Sequence, residues 1–253
     1  MPTLTILRHM TLLLAIAAAS VALPAAAQES DMARSIVEKA DRVRFPADGF
    51  QVDIAITSKA PDQAPEVRKY RVLSKGNDNT IVMTTEPAAE RGQVLLMKAR
   101  DLWLFMPNVS QPVRLSVAQR LTGEVAYGDL ARANFAGDYT PKVVRTDTID
   151  GEVYDVLELS AVDRGVTYAK VMYWVKQSNS YPYKAEFYSL SGRLLKNCRY
   201  ENFKSLGGKT RPTRLVMEDA LKPGEVSVLE YDAMKPRDLP DHVFTKEYLK
   251  KLQ

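Results

Sequence analysis

Apolar positions along this chain change period. Met32, Ile36, Ala40 and Val43 recur every three or four residues, which predicts a helix with one apolar stripe. Ser30 or Asp31 can cap its start, and Pro46 and Gly49 end it. From Phe50 the period falls to two. Phe50, Val52, Ile54 and Ile56 alternate with Gln51, Asp53, Ala55 and Thr57, the pattern of a strand with one buried face. Further strands are predicted over 67–75, 79–86, 93–99, 101–106, 142–148, 152–160, 166–177, 182–190, 193–204, 211–221 and 225–234. The breaks carry turn chemistry: Gly76 to Asn79, Asp150-Gly151, Ser191-Gly192, Gly207-Gly208 and Pro223-Gly224. Many short strands joined by tight turns make an antiparallel sheet that curls into a barrel or sandwich. A short closing helix is expected over 245–252, with Tyr248, Leu249 and Leu252 on one side.

Two stretches depart from simple alternation. Leu102, Trp103, Leu104, Phe105 and Met106 are apolar on both faces of one strand, and so is the run from Val171 to Val175. A strand with one wet face alternates. One face here meets a core, and the other needs covering helices or an internal apolar cavity. From Pro107 to Tyr139 the strand pattern fails altogether, and 117–121 and 129–135 read as short helices or structured loop. This segment carries Leu115, Val117, Leu121, Val125, Tyr127, Leu130 and Phe135, too many apolar groups for a solvated loop. It is expected to fold back on the sheet as a lid or plug. Residues 102–106, Leu121, Tyr127, Leu130, Phe135, Tyr173 and Trp174 are the candidates to line a cavity, with plain core as the competing role.

The beginning of the chain has the form of a cleaved leader. Arg8 and His9 precede an apolar run from Met10 to Leu23, Pro24 breaks it, and Ala25-Ala26-Ala27 fits a small-residue cleavage site. The run is too short to span a bilayer of about 30 Å, which argues against the competing reading as an anchor. Residues 1–27 are therefore expected to be a signal peptide and 28–253 a single secreted, non-lipidated domain. The formal charge of +4 falls to +3 with the loss of Arg8. The basic residues are interleaved with acids, as in a solvated strand face, and nucleic acid is not an expected partner. Cys198 is the only cysteine, so no intrachain disulfide can form, and a buried inert thiol is expected.

Several chemistries are excluded or disfavoured. Beyond the leader the only histidine is His242, which leaves little for a Ser-His-Asp site or a His/Cys zinc site. There is no Gly-rich phosphate loop, GxSxG elbow or SxxK. Asp129 and Asp138 could form the carboxylate pair of a hydrolase, but each follows a glycine at a helix start or turn, where capping explains it better. No catalytic residue, metal or cofactor is expected.

The chain resembles the LolA/LolB-like superfamily of outer-membrane lipoprotein-sorting proteins, and within it the uncharacterised LolA-like branch. The resemblance lies in Asp101 to Pro107 (DLWLFMP), Val113 to Ser116 (VRLS), Gly128 to Arg132 (GDLAR), Asn134 to Tyr139 (NFAGDY), Tyr173-Trp174-Val175 and Arg211 to Glu218 (RPTRLVME). It implies a mainly β fold: an unclosed antiparallel barrel of about eleven strands with a helical lid. It also implies a periplasmic carrier for the acyl chains of lipoproteins or other lipids. The partners implied are an inner-membrane transporter of the resistance-nodulation-division (RND/MMPL) type and an outer-membrane acceptor. Arg114 and Arg132 are the basic residues near the lid that could meet a headgroup. An accessory module docked on such a transporter is the alternative role.

Overall fold

A computed structural model describes residues 22–249 apart from 77 and 133. Helix α1 (Ala22–Arg44) leads into β1 (Phe50–Lys59), β2 (Glu66–Lys75), β3 (Asn79–Glu86), β4 (Val94–Lys98), β5 (Asp101–Phe105) and β6 (Val113–Leu115). A connector follows, with a small hairpin of β7 (Arg120–Thr122) and β8 (Val125–Ala126) and two short helices, α2 (Tyr127–Ala131) and α3 (Phe135–Asp138). The chain then runs through β9 (Tyr139–Ile149), β10 (Glu152–Ala161), β11 (Lys170–Lys176), β12 (Pro182–Tyr188), β13 (Leu194–Leu206), β14 (Lys209–Asp219) and β15 (Val226–Pro236). A 3-10 turn at Asp241–Val243 and helix α4 (Lys246–Leu249) close it.

Thirteen strands form one antiparallel sheet, in the order β6-β5-β4-β3-β2-β1-β15-β14-β13-β12-β11-β10-β9. Two hairpin meanders thus meet at a single long-range ladder, which sets Phe50 against Pro236 and Ile54 against Tyr231. No ladder joins β6 to β9, so the sheet curls without closing. Register shifts in the β1–β15, β2–β3, β9–β10, β11–β12 and β12–β13 ladders supply the bulges that help a sheet curve. Asp150-Gly151 and Gly207-Gly208 both take positive φ at two successive residues, the geometry of tight hairpin turns. The unclosed barrel is as expected, with thirteen strands where about eleven were anticipated. The three short strands β6, β7 and β8 lie where the alternation was too brief to read.

Helix α1 packs inside the curl, but its buried stripe is not the expected one. Ala33, Val37, Ala40, Asp41 and Arg44 face inward, while Met32 is 54% exposed. The stripe is turned by about one residue because two charged side chains take interior positions. The helix also starts before Ser30 and Asp31, and Pro24 lies in its first turn, where the missing N–H breaks no helical bond. The apolar run of the expected leader lies mostly outside the described residues.

The second face of β5 is covered by the end of the chain. Trp103 and Phe105 join Ile81, Val94 and Leu96 against Leu239, Val243, Phe244 and Leu249. Phe244 and Leu249 are almost wholly buried there. Each such burial stabilises the docked tail by about 1.5–3 kcal/mol. The second face of β11 is closed by its neighbours in the sheet, with Trp174 beside Tyr154 and Val156 and with Arg145 and Lys184 over its ring. Doubled apolar character therefore reports a docked tail at β5 and lateral packing at β11. The closing helix is seen as four residues, and Leu252 lies outside the described residues.

Candidate functional site: the covered concave face

The concave face of the sheet is almost entirely apolar. Ile54, Val72, Leu102, Leu157, Tyr173 and Leu229 belong to one buried cluster that continues across every strand from β1 to β5 and from β9 to β15. Over it lie α1, with Ala33, Val37 and Ala40, and the connector, with Val117, Val125, Leu130, Ala131 and Phe135. Phe135 is the central plug: its ring meets Tyr139 and Tyr173 edge-on at centroid distances of 5.6 and 5.3 Å. The void left beneath the cover is about 20 Å³, water-sized rather than ligand-sized. A depression of about 210 Å³ opens beside the cover, lined by Val125, Ala126, Tyr168 and Lys196, and others of about 300 and 340 Å³ lie at turns and strand ends.

What fastens the cover is polar. On α2, the Asp129 carboxylate accepts from the Ala126 N–H at 2.9 Å, from the Tyr168 hydroxyl at 2.7 Å and from the buried Lys196 ammonium at 2.8 Å. Lys196 also donates to the backbone oxygen of Glu124. Beside α3, Arg132 grips Asp138 through two guanidinium nitrogens and adds Asp78 at 2.9 Å and the Ala99 carbonyl at 2.6 Å. Arg100 reaches the same Asp138 at 3.0 Å. Between α1 and α3, Asp41 accepts the Ala136 N–H at 2.9 Å and Arg34 donates to the Ala136 carbonyl at 2.8 Å. Three latches therefore hold the connector. Asp129 and Asp138, weighed as a hydrolytic pair, are each saturated by these roles.

One buried cation sits against Phe135. The Arg44 guanidinium lies 4.4 Å from that ring centre and 5.7 Å from that of Tyr200, with Asp41 at 3.4 Å. Burial pushes the Asp41 carboxyl up to about 7, further than Arg44 at that distance can pull it down. Burial also raises the Cys198 thiol to about 12, so it is inert at neutral pH. Arg211, deeply buried, ties down the end of α1 by donating to the carbonyls of Arg42 at 2.8 Å and Val43 at 3.0 Å. Those are carbonyls that the helix itself leaves unpaired.

The sequence-derived candidates divide between the two faces. Leu102, Leu104, Leu121, Tyr127, Leu130, Phe135 and Tyr173 all belong to the interior cluster under the cover. Trp103 and Phe105 are on the opposite face beneath the tail, with Lys246 over the Trp103 ring at 4.2 Å. Trp174 is outside as well, and Met106 is half-buried just past the strand. Alternation across β5 and β11 forces this split. Arg114 is exposed and paired with Asp101, whereas Arg132 is buried in the latch and offers no free charge. Asp41, Arg44, Lys196 and Arg211 are not among the sequence-derived site candidates, although Lys196 shares parity with Cys198 and Tyr200, and Asp41 and Arg44 continue the stripe of Val37 and Ala40.

An unclosed antiparallel barrel with a helix inside its curl and a latched connector over an apolar concave face defines a lidded carrier-type scaffold. A family model described as an uncharacterized protein matches residues 76–251. A LolA superfamily protein from Nitrosomonas europaea is 66% identical, with a TM-score of 0.82 over 85% of this chain and 98% of that one. A DUF1329 family protein from Desulfovibrio piger (17% identity, TM-score 0.75, 87% and 99% covered) shares the fold. So does an outer membrane lipoprotein-sorting protein domain from Vibrio parahaemolyticus (20% identity, TM-score 0.74, 87% and 99% covered). No curated protein matches the sequence. The chain belongs to the LolA superfamily.

Proposed function

We propose that this protein is a non-catalytic periplasmic carrier that shelters the acyl chains of a lipoprotein or related lipid between its concave sheet and its cover. The observation that carries the proposal is the pairing of a continuous apolar concave face with a cover joined to it by apolar contacts and side-chain latches and not by a strand ladder. Such a cover can part from the sheet without breaking a ladder of the thirteen-stranded sheet. Each methylene hidden from water is worth about 0.8 kcal/mol, so a sixteen-carbon chain offers on the order of 12 kcal/mol before ordering and opening costs. The cover's own apolar burial competes with that gain, which keeps binding reversible and permits handover. The LolA superfamily relative and the lipoprotein-sorting domain of similar fold support this class of cargo. Residues 28–253 would act as one unit after removal of 1–27, receiving cargo from an RND-type inner-membrane transporter and passing it to an outer-membrane acceptor. Among the described residues no helix is long and apolar enough to cross a membrane.

The test is native mass spectrometry on protein purified from a periplasm without detergent, followed by uptake of a fluorescent fatty acid. Co-purified acyl lipid, and uptake lost in Phe135→Asp but kept in Trp103→Asp, is the expected result. A clean apo mass with no uptake would overturn the carrier reading in favour of a docking module.

A further inference from the structure

A second constellation lies at one rim, away from the Phe135 plug. Gly123 and Glu124 form the turn between β7 and β8, Asp219 ends β14, and Glu225 immediately precedes β15. One carboxylate oxygen from each of Glu124, Asp219 and Glu225 lies within 4.8 Å of the others. Three like charges converging at that range repel unless something positive or a proton sits among them.

Glu124 is held there by its backbone. Its N–H donates to Ser227 Oγ at 2.8 Å, Ser227 Oγ is 3.2 Å from Ser58 Oγ, and its carbonyl accepts from Lys196. The preceding Gly123 has φ +48°, and a Cβ there would lie 2.2 Å from both serine hydroxyls. The turn therefore has no freedom to move its glutamate away. The Glu124 residue is only 7% exposed, and its Oε1 has no hydrogen-bond donor at all. Arg120 is 3.6 Å from Oε1 on a side chain 57% exposed, where water screens it, and the buried Lys196 ammonium is spent on the Glu124 carbonyl and on Asp129. Asp219 uses one oxygen to accept the N–H groups of Leu221 at 2.6 Å and Lys222 at 3.0 Å, which fixes its orientation. Glu225 meets only the largely exposed Lys222, at 3.1 Å. Depressions of about 210 and 300 Å³, both lined by Glu124, leave room for hydrating waters.

We propose that Glu124, Asp219 and Glu225 form a divalent-cation site of the calcium class that clamps the β7–β8 hairpin of the cover to the β14–β15 rim. The donor set is all carboxylate oxygen, which suits a hard cation that also keeps water ligands. Three carboxylates opposed by Arg120, Lys196 and Lys222 place the affinity with extracellular calcium modules, at about 10⁻⁴–10⁻³ M.

The test is calorimetric titration of the mature chain with calcium chloride at constant ionic strength, repeated with magnesium chloride. The expected result is one calcium bound per chain, with affinity at least tenfold weaker in Asp219→Asn and in Glu225→Gln and unchanged in Asp232→Asn. Both weakened variants alter rim carboxylates and keep the pinned Glu124 turn, and circular dichroism confirms their fold. No calcium heat up to about 10 mM, or binding unchanged in both rim variants, overturns the proposal.

Discussion

Asp138→Asn tests whether the cover is a separable unit. Arg132 and Asp138 are both 6% exposed at the side chain, and the replacement leaves a buried guanidinium facing an amide while also weakening the tie of Asp138 to Arg100 in the β4–β5 turn at 3.0 Å. Removing one member of a buried pair costs about 3–5 kcal/mol. Here Asp78 remains on Arg132 at 2.9 Å but is half exposed, so the lower end, about 3 kcal/mol, is expected. At 1.4 kcal/mol per tenfold, that raises the population of the unlatched cover roughly a hundredfold. Hydrogen exchange reads this directly. The amides of Ala136 and Glu124, which leave the cover to bond Asp41 Oδ2 and Ser227 Oγ, should exchange about a hundredfold faster. Amides in the β13–β14 ladder should keep their rates, and fatty-acid uptake should accelerate. Equal acceleration in cover and ladder would show that the cover opens only with the whole fold. No acceleration would show that the latch carries no free energy. Either result refutes the lid.

Other outcomes follow from single features. Asp41, with its carboxyl raised by burial to about 7 against an ordinary 3.8, binds a proton in the fold that the unfolded chain has released, so stability should fall as pH rises from about 4 to 7 and level off above. Urea unfolding across that window should show the slope in the parent and lose much of it in Asp41→Asn. Arg211→Met strands the carbonyls of Arg42 and Val43 at the end of α1 and should cost about 3 kcal/mol, measured as a fall of roughly 6–12 °C in melting temperature. Gly123→Ala drives a methyl into Ser58 and Ser227 at positive φ and should both lower the melting temperature and weaken calcium binding in the same titration.

Much of the fold was legible because it rests on period. Alternation from Phe50 onward, punctuated by turns such as Asp150-Gly151 and Gly207-Gly208, marks most long strands to within a few residues. The connector from Pro107 to Tyr139 is recognisable as a cover from its apolar load alone. Its internal structure is less so: of the short helices or structured loop expected over 117–121 and 129–135, the first is a turn leading into β7 and the second is occupied by α2, ending at Ala131, and α3, starting at Phe135. Short elements of this kind are decided by tertiary anchors such as Asp129–Lys196, which local propensity does not contain. The harder misreading was of charge. Lys196 is one of the basic residues interleaved with acids that suggest a solvated strand face, yet its parity with Cys198 and Tyr200 puts it inside. Trp103 read as a cavity candidate because nothing local says that a segment more than a hundred residues later will cover the outer face.

The strand order carries a consequence for how the chain can be cut. Eleven of the twelve ladders in the sheet join strands that follow one another along the chain, and only β1–β15 unites the two meanders. The connector, which bridges the outermost strands β6 and β9, adds side-chain ties to both meanders but no ladder between them. A protease nick at the exposed bend near Val109 to Gln111 would therefore yield two fragments still zipped together along β1 and β15. Expressed as separate polypeptides, residues 28–110 and 111–253 should find each other in solution and rebuild the same open barrel.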